Sequence, residues 1–355
     1  MPDTASSVAE MRKRVVLHAD RVAHPSSMEF PGNFPGEDLA WDLERFKKDF
    51  RIVIGHIGKD DMEFDMIGVD AAVANAFRRI LIGEVPTMAI EKVFVMNNTS
   101  IMHDEILAQR LGLIPIKADP KAFEFRRGTA DEPTDLNTIV FKLTVRCEKN
   151  LDAPAGAVHP DDKFINSNVL SSHLSWVPQG EQEIRFASDP CRPVIPDILI
   201  TKMRPGQEID LEAHCQKGIG KEHAKWSPVA TASYRLLPDI QILKPITGDA
   251  ATRFAKCFPP GVIAVSPNAA GIPEATVVNP RKDTVSREVL RHAEFEDKVR
   301  LTRIRDHFIF SIESTGIIRP EKLFAEAANI LISKCKALKA ALAASGALDS
   351  GVGAE

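Results

Sequence analysis

The chain has 355 residues, of which 44% are hydrophobic and 26% are charged, a composition typical of a soluble globular protein with one or two cores. Its formal net charge of −4 disfavours direct DNA binding, because proteins that hold a phosphate backbone present clustered Lys and Arg side chains. The sequence lacks both an apolar run long enough to span a membrane and the apolar core of a signal peptide, so we expect an intracellular protein.

The five cysteines are odd in number and far apart in sequence. This pattern fits neither a disulfide framework nor a zinc ribbon, and it indicates a reducing compartment. Cys147 and Cys215 each end an alternating apolar run, and Cys335 continues a helical apolar stripe. We therefore predict that these three side chains are buried.

Residues 1–45 combine Pro, Gly and acidic residues with scattered aromatic residues, which indicates an extended arm. The side chains of Phe30, Phe34 and Trp41 are candidates for docking this arm. Two alternating apolar runs follow at 52–54 and 62–66, separated by a GKDD turn, and they predict a β-hairpin.

A helical period replaces the alternation between Val69 and Glu84. The residues on its apolar face are Val69, Val73, Ala76, Phe77, Ile80 and Leu81. Asp70 suits the first turn, because negative side chains are favourable near a helix N-terminus. Pro86 ends the helix by pushing the preceding residue out of helical space, and a strand-like run, MAIEKVFVM, follows.

His103, Asp104 and Glu105 are successive titratable side chains and therefore candidates for a metal or catalytic cluster. Adjacent residues on a helix point about 100° apart, so the three side chains cannot converge on one ion. The polar run 97–100 can cap a helix at this point. Its apolar side would consist of Ile106, Leu107, Ala108 and Leu111. We therefore predict a structural helix, with Asp104 and Glu105 in its first turn.

Residues 117–225 are rich in loops, and we interpret them as a separate lobe. The segment 244–298 holds a short helix near 250–257 and several prolines, which predicts mostly irregular structure. The strands predicted in this part of the chain cover residues 139–147, 198–202, 209–215, 299–304 and 308–312.

The chain closes on a long predicted helix from Pro320 to about Ser345. Its apolar seam consists of Phe324, Ala328, Leu331, Cys335, Leu338 and Leu342. These residues recur at alternating spacings of four and three, a pattern that packs against another helix. The lysines expected to complement the dipole at the helix C-terminus are Lys334, Lys336 and Lys339. We predict a disordered tail at 346–355.

Motifs for phosphate binding, nucleophilic catalysis and metal-dependent hydrolysis are missing from the sequence. The best metal candidate, His214 and Cys215 with His223, offers three ligands where a structural zinc site needs four, so we predict no metal. The basic and aromatic stretch 223–235 is an alternative nucleic-acid contact, but its single Trp and single Tyr fall short of a stacking platform.

Arg78 and Arg79 lie on the polar side of the helix predicted at 69–84. Such arginines are usually solvated. Two adjacent arginines beside a long apolar stripe also suit a protein interface, since Arg forms bidentate and weakly hydrated contacts. We therefore keep a partner-facing role for both arginines as a hypothesis.

Three segments closely resemble the alpha-like subunits of RNA polymerases: NAFRRILIGEVPTMAIEKV (75–93), NNTSIMHDEILAQRLGLIPI (97–116) and HAKWSPVATASYR (223–235). Together with the FPGNFPGEDLAWDL arm and the chain length, they are most similar to the larger alpha-like subunit that eukaryotic RNA polymerases I and III share. The resemblance extends from about residue 20 to residue 345.

This resemblance implies an α+β fold in which two long helices lie on an antiparallel sheet. The dimerisation domain would be split into 46–88 and 226–345, with a β-rich insertion domain at 89–225. Relatives in other branches carry a metal or cluster in that insertion, but Cys147, Cys191 and Cys215 are not at ligand spacing.

The resemblance also implies a non-catalytic assembly subunit in the nucleus, including the nucleolus, without a cofactor. Its expected partners are a smaller alpha-like subunit, the second-largest polymerase subunit and small assembly subunits, with no or weak DNA contact and no membrane. The expected interface residues are Val73, Phe77, Arg78, Arg79, Ile80, Phe324, Ala328, Leu331, Cys335, Leu338 and Leu342. The alternatives are a subunit of another RNA polymerase and a stand-alone enzyme that uses His103, Asp104 and Glu105.

Overall fold

The computed structural model of the chain describes residues 13–24, 41–126, 128, 131–154, 156 and 158–345. The expectations for Phe30, Phe34 and the tail 346–355 lie outside the described residues. The described chain divides into two compact units. Its first unit takes residues 13–24, 41–56, Glu63–Asn75 and Ser233–Ser311, and its second unit takes Ile57–Met62, the described residues of Ala76–Ala232, and 312–345. The predicted division into dimerisation and insertion domains stays a prediction.

The architecture is α+β with antiparallel strand pairs, as the sequence predicted. The helices are α1 (Leu43–Asp49), α2 (Ala71–Gly83), α3 (Asp104–Gly112), α4 (Pro160–Lys163), α5 (Gln182–Arg185), α6 (Asp249–Lys256) and α7 (Pro320–Ala344). The first strands are β1 (Arg14–Leu17), β2 (Val22–Ala23), β3 (Arg51–Ile57), β4 (Asp61–Ile67), β5 (Pro86–Asn98), β6 (Ile116–Lys117), β7 (Thr138–Arg146), β8 (Glu148–Lys149) and β9 (Phe164–Ile165). The remaining strands are β10 (Asn168–Leu170), β11 (Ser175–Val177), β12 (Arg192–Pro193), β13 (Leu199–Lys202), β14 (Glu208–Ile219), β15 (Val229–Ile242), β16 (Ile263–Pro267), β17 (Pro273–Val277) and β18 (Val299–Ser314).

The first unit is built around a six-stranded sheet with the strand order β2-β1-β18-β4-β3, in which β15 also pairs with β18. The neighbouring strands β3 and β4 confirm the predicted hairpin. Phe64 and Phe310 stack with their ring centroids 5.2 Å apart, and Tyr234 packs against Phe310. Residues 14–17 pair with β18, so this part of the predicted arm is a strand of the sheet.

The structure corrects the prediction of two strands at 299–304 and 308–312, because β18 is one continuous strand. The charged residues between the two predicted strands find partners along β18. His307 Nε2 lies 2.9 Å from Asp65 Oδ2, and Arg305 donates a hydrogen bond to the backbone carbonyl of His24. These contacts give the side chains of His307 and Arg305 polar partners within the unit, and the strand runs on through both residues.

The prediction of mostly irregular structure at 244–298 is also wrong in part. Its short helix is confirmed as α6, but β16 and β17 form an antiparallel hairpin, and Val289 and Phe295 are buried in the core beside α6. Pro267 and Pro273 face each other at the ends of the two strands, where a missing N–H group costs little. The prolines therefore mark the ends of a hairpin.

The second unit contains a four-stranded sheet with the order β11-β7-β14-β5. The side chains of β7 and β14 that face its core are Ile139, Phe141, Leu143, Val145, Ile209, Leu211, Ala213 and Cys215. This period-two burial confirms the strands predicted at 139–147 and 209–215. Cys147 and Cys215 are fully buried, as predicted.

Helix α3 confirms the predicted structural helix, with Asp104 and Glu105 in its first turn and Leu107 and Leu111 in the core. Two details differ. Ile106 is about half exposed, and the polar run 97–100 provides no side-chain cap. Instead, Asn98 Nδ2 donates hydrogen bonds to Asp104 Oδ1 at 2.7 Å and to the Met102 carbonyl at 2.9 Å, so this run fixes the loop that leads into the helix.

Candidate functional site

Helix α2 begins immediately after Asp70, which lies outside the helix and caps it. The Ala72 N–H donates to Asp70 Oδ1 at 2.8 Å, so one otherwise unpaired amide of the first turn is satisfied. This corrects the prediction that Asp70 lies in the first turn. Ile80 and Leu81 are buried, and Phe77, one turn earlier on the same face of the helix, is half-buried.

The aromatic side chains of α2 and α7 meet in the second unit. The rings of Phe77 and Phe324 stack with their centroids 4.8 Å apart and an interplanar angle of 18°. Both rings remain partly accessible to solvent, so they form a joint apolar surface. Ile80 is only 2% exposed and lies beneath this surface, inside the chain's own core. Val73, which is 37% exposed, lies one turn before Phe77 on the same helix.

The first half of α7 packs against its own chain. Pro320 occupies the first turn, where its missing N–H needs no partner, as predicted. Leu323 and Ala327 are fully buried, whereas Phe324 and Leu331 are half-buried. The face that contacts the chain's own core is therefore offset from the predicted seam.

The second half of α7 is exposed at every residue from Ile332 to Ala344. At a rise of about 1.5 Å per residue this half is about 20 Å long. It nevertheless carries large apolar side chains: Ile332 is 50% exposed, Leu338 is 63% exposed and Leu342 is 40% exposed. An isolated helix of this length is marginally stable in water, so its apolar side indicates a surface that a partner covers.

Cys335 lies in this exposed half, which corrects the prediction that it is buried. The spacing of the stripe placed it correctly on the seam but did not reveal that this part of the seam is uncovered. The seam residues Phe324, Ala328, Leu331, Cys335, Leu338 and Leu342, together with Phe77 and Ile332, are hereafter called the seam surface.

Ion pairs hold α7 to neighbouring segments of the second unit. Lys334 Nζ lies 2.6 Å from Glu84 Oε1, just beyond the end of α2. Lys121 Nζ lies 2.5 Å from Glu326 Oε1, and this hydrogen bond raises the pKa of Lys121. The prediction that lysines complement the C-terminal dipole is wrong, because the helix continues to Ala344 and its last turn has no basic residue.

Arg78 is half-buried on α2, and Arg79 is exposed. The other candidate sites from the sequence are structural or exposed. Cys215 is fully buried, and burial raises the pKa of its thiol, which opposes metal ligation. Among the described side chains, no group of three or more His, Cys, Asp or Glu residues is placed to hold a metal ion.

Trp226, the aromatic residue of the candidate nucleic-acid stretch, is buried and is therefore not available for stacking on bases. Its Nε1 donates a hydrogen bond to the Gln216 carbonyl at 3.0 Å, and its own carbonyl accepts one from Thr87 Oγ1 at 2.7 Å. A Cβ atom added to Gly218 would lie 2.3 Å from the indole ring, so this position requires glycine. The stretch has a structural role.

His103, Asp104 and Glu105 are all exposed at the start of α3, and none of them lines the cleft described below. Exposed side chains at such a position do not exclude water from a reacting group. None of the described helices is both long and apolar enough to cross a membrane.

The sequence analysis did not identify Ile332 as part of the seam surface or Glu84 as the ion-pair partner of Lys334. Ile332 lies beside the stripe, three residues before Cys335, and helical neighbours at this spacing share a face. That spacing is a signal that was present in the sequence. The partner of Lys334 gave no such signal, because Glu84 lies 250 residues away along the chain.

Comparison with known proteins identifies the relatives of this chain. The model of the RNA polymerase Rpb3/Rpb11 dimerisation domain matches residues 63–335, which include α2 and α7 as far as Cys335. The chain is 53% identical over 332 residues to human DNA-directed RNA polymerases I and III subunit RPAC1, covering 94% of this chain and 96% of the human protein. It is 49% identical over 332 residues to the Saccharomyces cerevisiae protein of that name, covering 93% and 98%. The DNA-directed RNA polymerase II subunit rpb3 of Dictyostelium discoideum is 33% identical over 287 residues, covering 78% and 90%.

Proposed function

The chain belongs to the RNA polymerase Rpb3/Rpb11 dimerisation domain family, and from this premise we propose that it is an assembly subunit of DNA-directed RNA polymerases I and III. The similarity that supports this assignment extends over nearly the whole chain, and it is weaker for the polymerase II subunit than for the subunits of polymerases I and III. The chain would serve transcription of ribosomal and small RNAs in the nucleus, including the nucleolus.

The observation that carries the proposal is the seam surface. Its half-buried part, around Phe77 and Phe324, is continuous along α7 with the exposed part around Leu338. A soluble protein rarely leaves such an apolar surface open to water. We propose that a smaller alpha-like subunit covers it, so that the two chains form an obligate heterodimer.

The second proposed contact is with the second-largest polymerase subunit, through Arg78 and Arg79. These side chains directly follow Phe77 on α2, where Arg78 is half-buried and Arg79 is exposed. Arginine suits this role because its guanidinium forms bidentate contacts and is weakly hydrated. Small assembly subunits would complete the complex. Nucleotide addition would then belong to the large subunits, and this chain would contribute no catalytic group and no cofactor.

The test is co-expression of the full chain with the smaller alpha-like subunit, followed by co-purification. We expect the lone chain to self-associate in light scattering and the two chains together to give a soluble heterodimer. Leu338→Asp should abolish pairing, because a buried unpaired charge costs several kcal/mol, on the order of 3–5. Ser333→Asp is the matched control, since Ser333 is exposed and lies about 140–200° around the helix from Leu338 and Leu331.

In cells, Arg78→Glu with Arg79→Glu should preserve the heterodimer and lose the second-largest subunit, since truncating or reversing a buried interface charge costs about 2–5 kcal/mol. A lone chain that is a stable monomer, together with normal pairing of Leu338→Asp, would refute the dimerisation role. Unchanged recovery of the second-largest subunit with both arginines reversed would refute their contact alone.

A further inference from the structure

A cleft of about 600 Å³ lies in the second unit, between the first turns of α7 and the loops at 117–122 and 185–189. This volume falls within the range of about 300–1,000 Å³ that is usual for ligand pockets. Its floor is apolar and includes Pro120, Phe186 and Ile317, all of them buried. The cleft lies outside the seam surface and is not used by the proposed dimer.

Of the three carboxylates that line the cleft, Asp189 and Glu326 are paired with lysines of the chain. Asp119 Oδ1 accepts a hydrogen bond from the Lys121 backbone N–H at 3.0 Å. Asp189 Oδ2 lies 3.0 Å from Lys117 Nζ. Hydrogen bonds from Lys117 and then Arg192 hold the pKa of Asp189 below its usual value. Glu326 pairs with the Lys121 ammonium. Asp189 and Glu326 therefore have little capacity left to neutralise other cations of the cleft.

Two cations of the cleft, Lys322 and Arg319, are exposed and at most loosely paired with a carboxylate. The side chain of Lys322 is exposed and makes no hydrogen bond or ion pair with any described residue. Arg319 is 71% exposed and has a single long contact, 3.4 Å from its Nε to Glu321 Oε1. Arg185, in contrast, is paired within the chain: its Nη1 lies 3.8 Å from Asp135 Oδ2, and its guanidinium lies over the Phe186 ring, 5.5 Å from the centroid. The rim above the apolar floor is therefore short of negative charge.

We propose that this cleft binds an extended acidic segment of a partner protein, whose apolar side chain packs on the floor while its carboxylates pair with Arg319 and Lys322. A ligand that fits this cleft needs both an apolar side chain and carboxylates. A simple anion would leave the apolar floor uncovered, and an apolar ligand would leave the cations of the rim unpaired. Arg offers a carboxylate a bidentate contact, and the apolar side chain supplies the area buried on binding. The proposal rests on the residues of the cleft and does not depend on the polymerase assignment.

The experiment measures fluorescence anisotropy of a fluorescein-labelled Glu-Asp-Leu-Phe-Glu-Asp peptide titrated with the full-length chain. We expect saturable binding that weakens with added salt, because the rim charges are exposed. Lys322→Glu combined with Arg319→Glu should lower the affinity by about tenfold or more, since like charges then face the peptide. Lys202→Glu is the matched control, because Lys202 is an exposed lysine of the same unit that does not line the cleft.

Two further probes decide between the proposal and its alternatives. A peptide with Ser-Ser in place of Leu-Phe should bind at least several-fold more weakly, and inorganic phosphate should displace the labelled peptide only at concentrations where salt alone does so. Equal binding of the Ser-Ser peptide, displacement by phosphate at low concentration, or equal loss with Lys202→Glu would each overturn the proposal. So would tighter binding of a Lys-Lys-Leu-Phe-Lys-Lys peptide, or no binding of the acidic peptide at all.

Discussion

Leu323 and Leu338 lie on the same helix, fifteen residues apart, and both belong to the apolar pattern of α7. Leu323 is fully buried against its own chain, whereas Leu338 is 63% exposed. The first half of α7 is also held by the stacking of Phe324 on Phe77 and by the ion pair between Glu326 and Lys121. Beyond Ile332 the helix has apolar side chains but no buried ones.

This difference shows that the apolar side chains of one helix can pack on the helix's own chain in one half and remain open to a partner in the other half. A periodic stripe shows which residues of a helix face another body, and it does not show whether that body is the same chain or a partner. In α7 the first half packs on the chain's own core, whereas the second half is exposed to solvent. Stability measurements on the lone chain should therefore separate the two halves.

The largest expected contrast is between two leucine truncations in the lone chain. Leu323→Ala should lower the free energy of unfolding by about 2–5 kcal/mol, because it leaves a cavity in a packed core. Leu338→Ala should change it by less than about 0.5 kcal/mol, because the side chain is mostly solvated already. Urea unfolding at sub-micromolar concentration, followed by tryptophan fluorescence, measures both values. Equal losses for the two variants would remove the distinction between the halves of α7.

Thiol labelling compares the exposed second half of α7 with the buried core at individual cysteine side chains. Iodoacetamide should modify Cys335 in the lone chain, while Cys147, Cys191, Cys215 and Cys257 stay unmodified because they are buried. Burial also raises the pKa of the Cys191 thiol to about 12, so raising the pH from 7 to 9 should not convert this thiol to the reactive thiolate.

The sign of the accompanying stability effect follows from the raised pKa of Cys191. The pKa of the Cys191 thiol in the folded chain lies above the ordinary value of 9.0 expected for the unfolded chain, so its contribution to stability is full below pH 9 and is lost as pH rises toward 12. Mass spectrometry of labelled peptides gives the readout, with Cys335→Ser as the control. Labelling of Cys335 that persists unchanged after pairing with the smaller alpha-like subunit would contradict its place on the seam surface.

The smallest expected effect concerns the ion pair at the boundary between the two halves. Lys334→Ala should cost about 0–1 kcal/mol of unfolding free energy, because the lysine side chain is 54% exposed and water screens the pair. Lys339→Ala, an exposed lysine without a partner among the described residues, should cost less. Unfolding in low and high salt checks this, since only the Lys334 effect should shrink as salt rises. A cost of several kcal/mol would mean that this pair, rather than the buried leucines, holds the helix.

Local patterns predicted much of the fold because they report local physics. Alternating apolar residues identified β7 and β14, the 3.6-residue period identified α2 and α7, and Pro320 marked the start of α7. The same patterns failed where distant partners decide. β18 runs through a charged stretch because Asp65 and the His24 carbonyl meet its polar side chains, and neither partner is near in sequence.

The sequence by itself determined which faces of the helices are apolar, where the main strands lie and, through its motifs, the family to which the chain belongs. Only the tertiary structure decided which part of the seam stays open. Leu323 and Cys335 continue the same apolar pattern, but one is enclosed by residues from other elements of the chain and the other is not. Side-chain chemistry sets the free energy gained when water is removed from an apolar residue, whereas the packing of the whole chain determines whether that removal happens within the molecule or requires a partner.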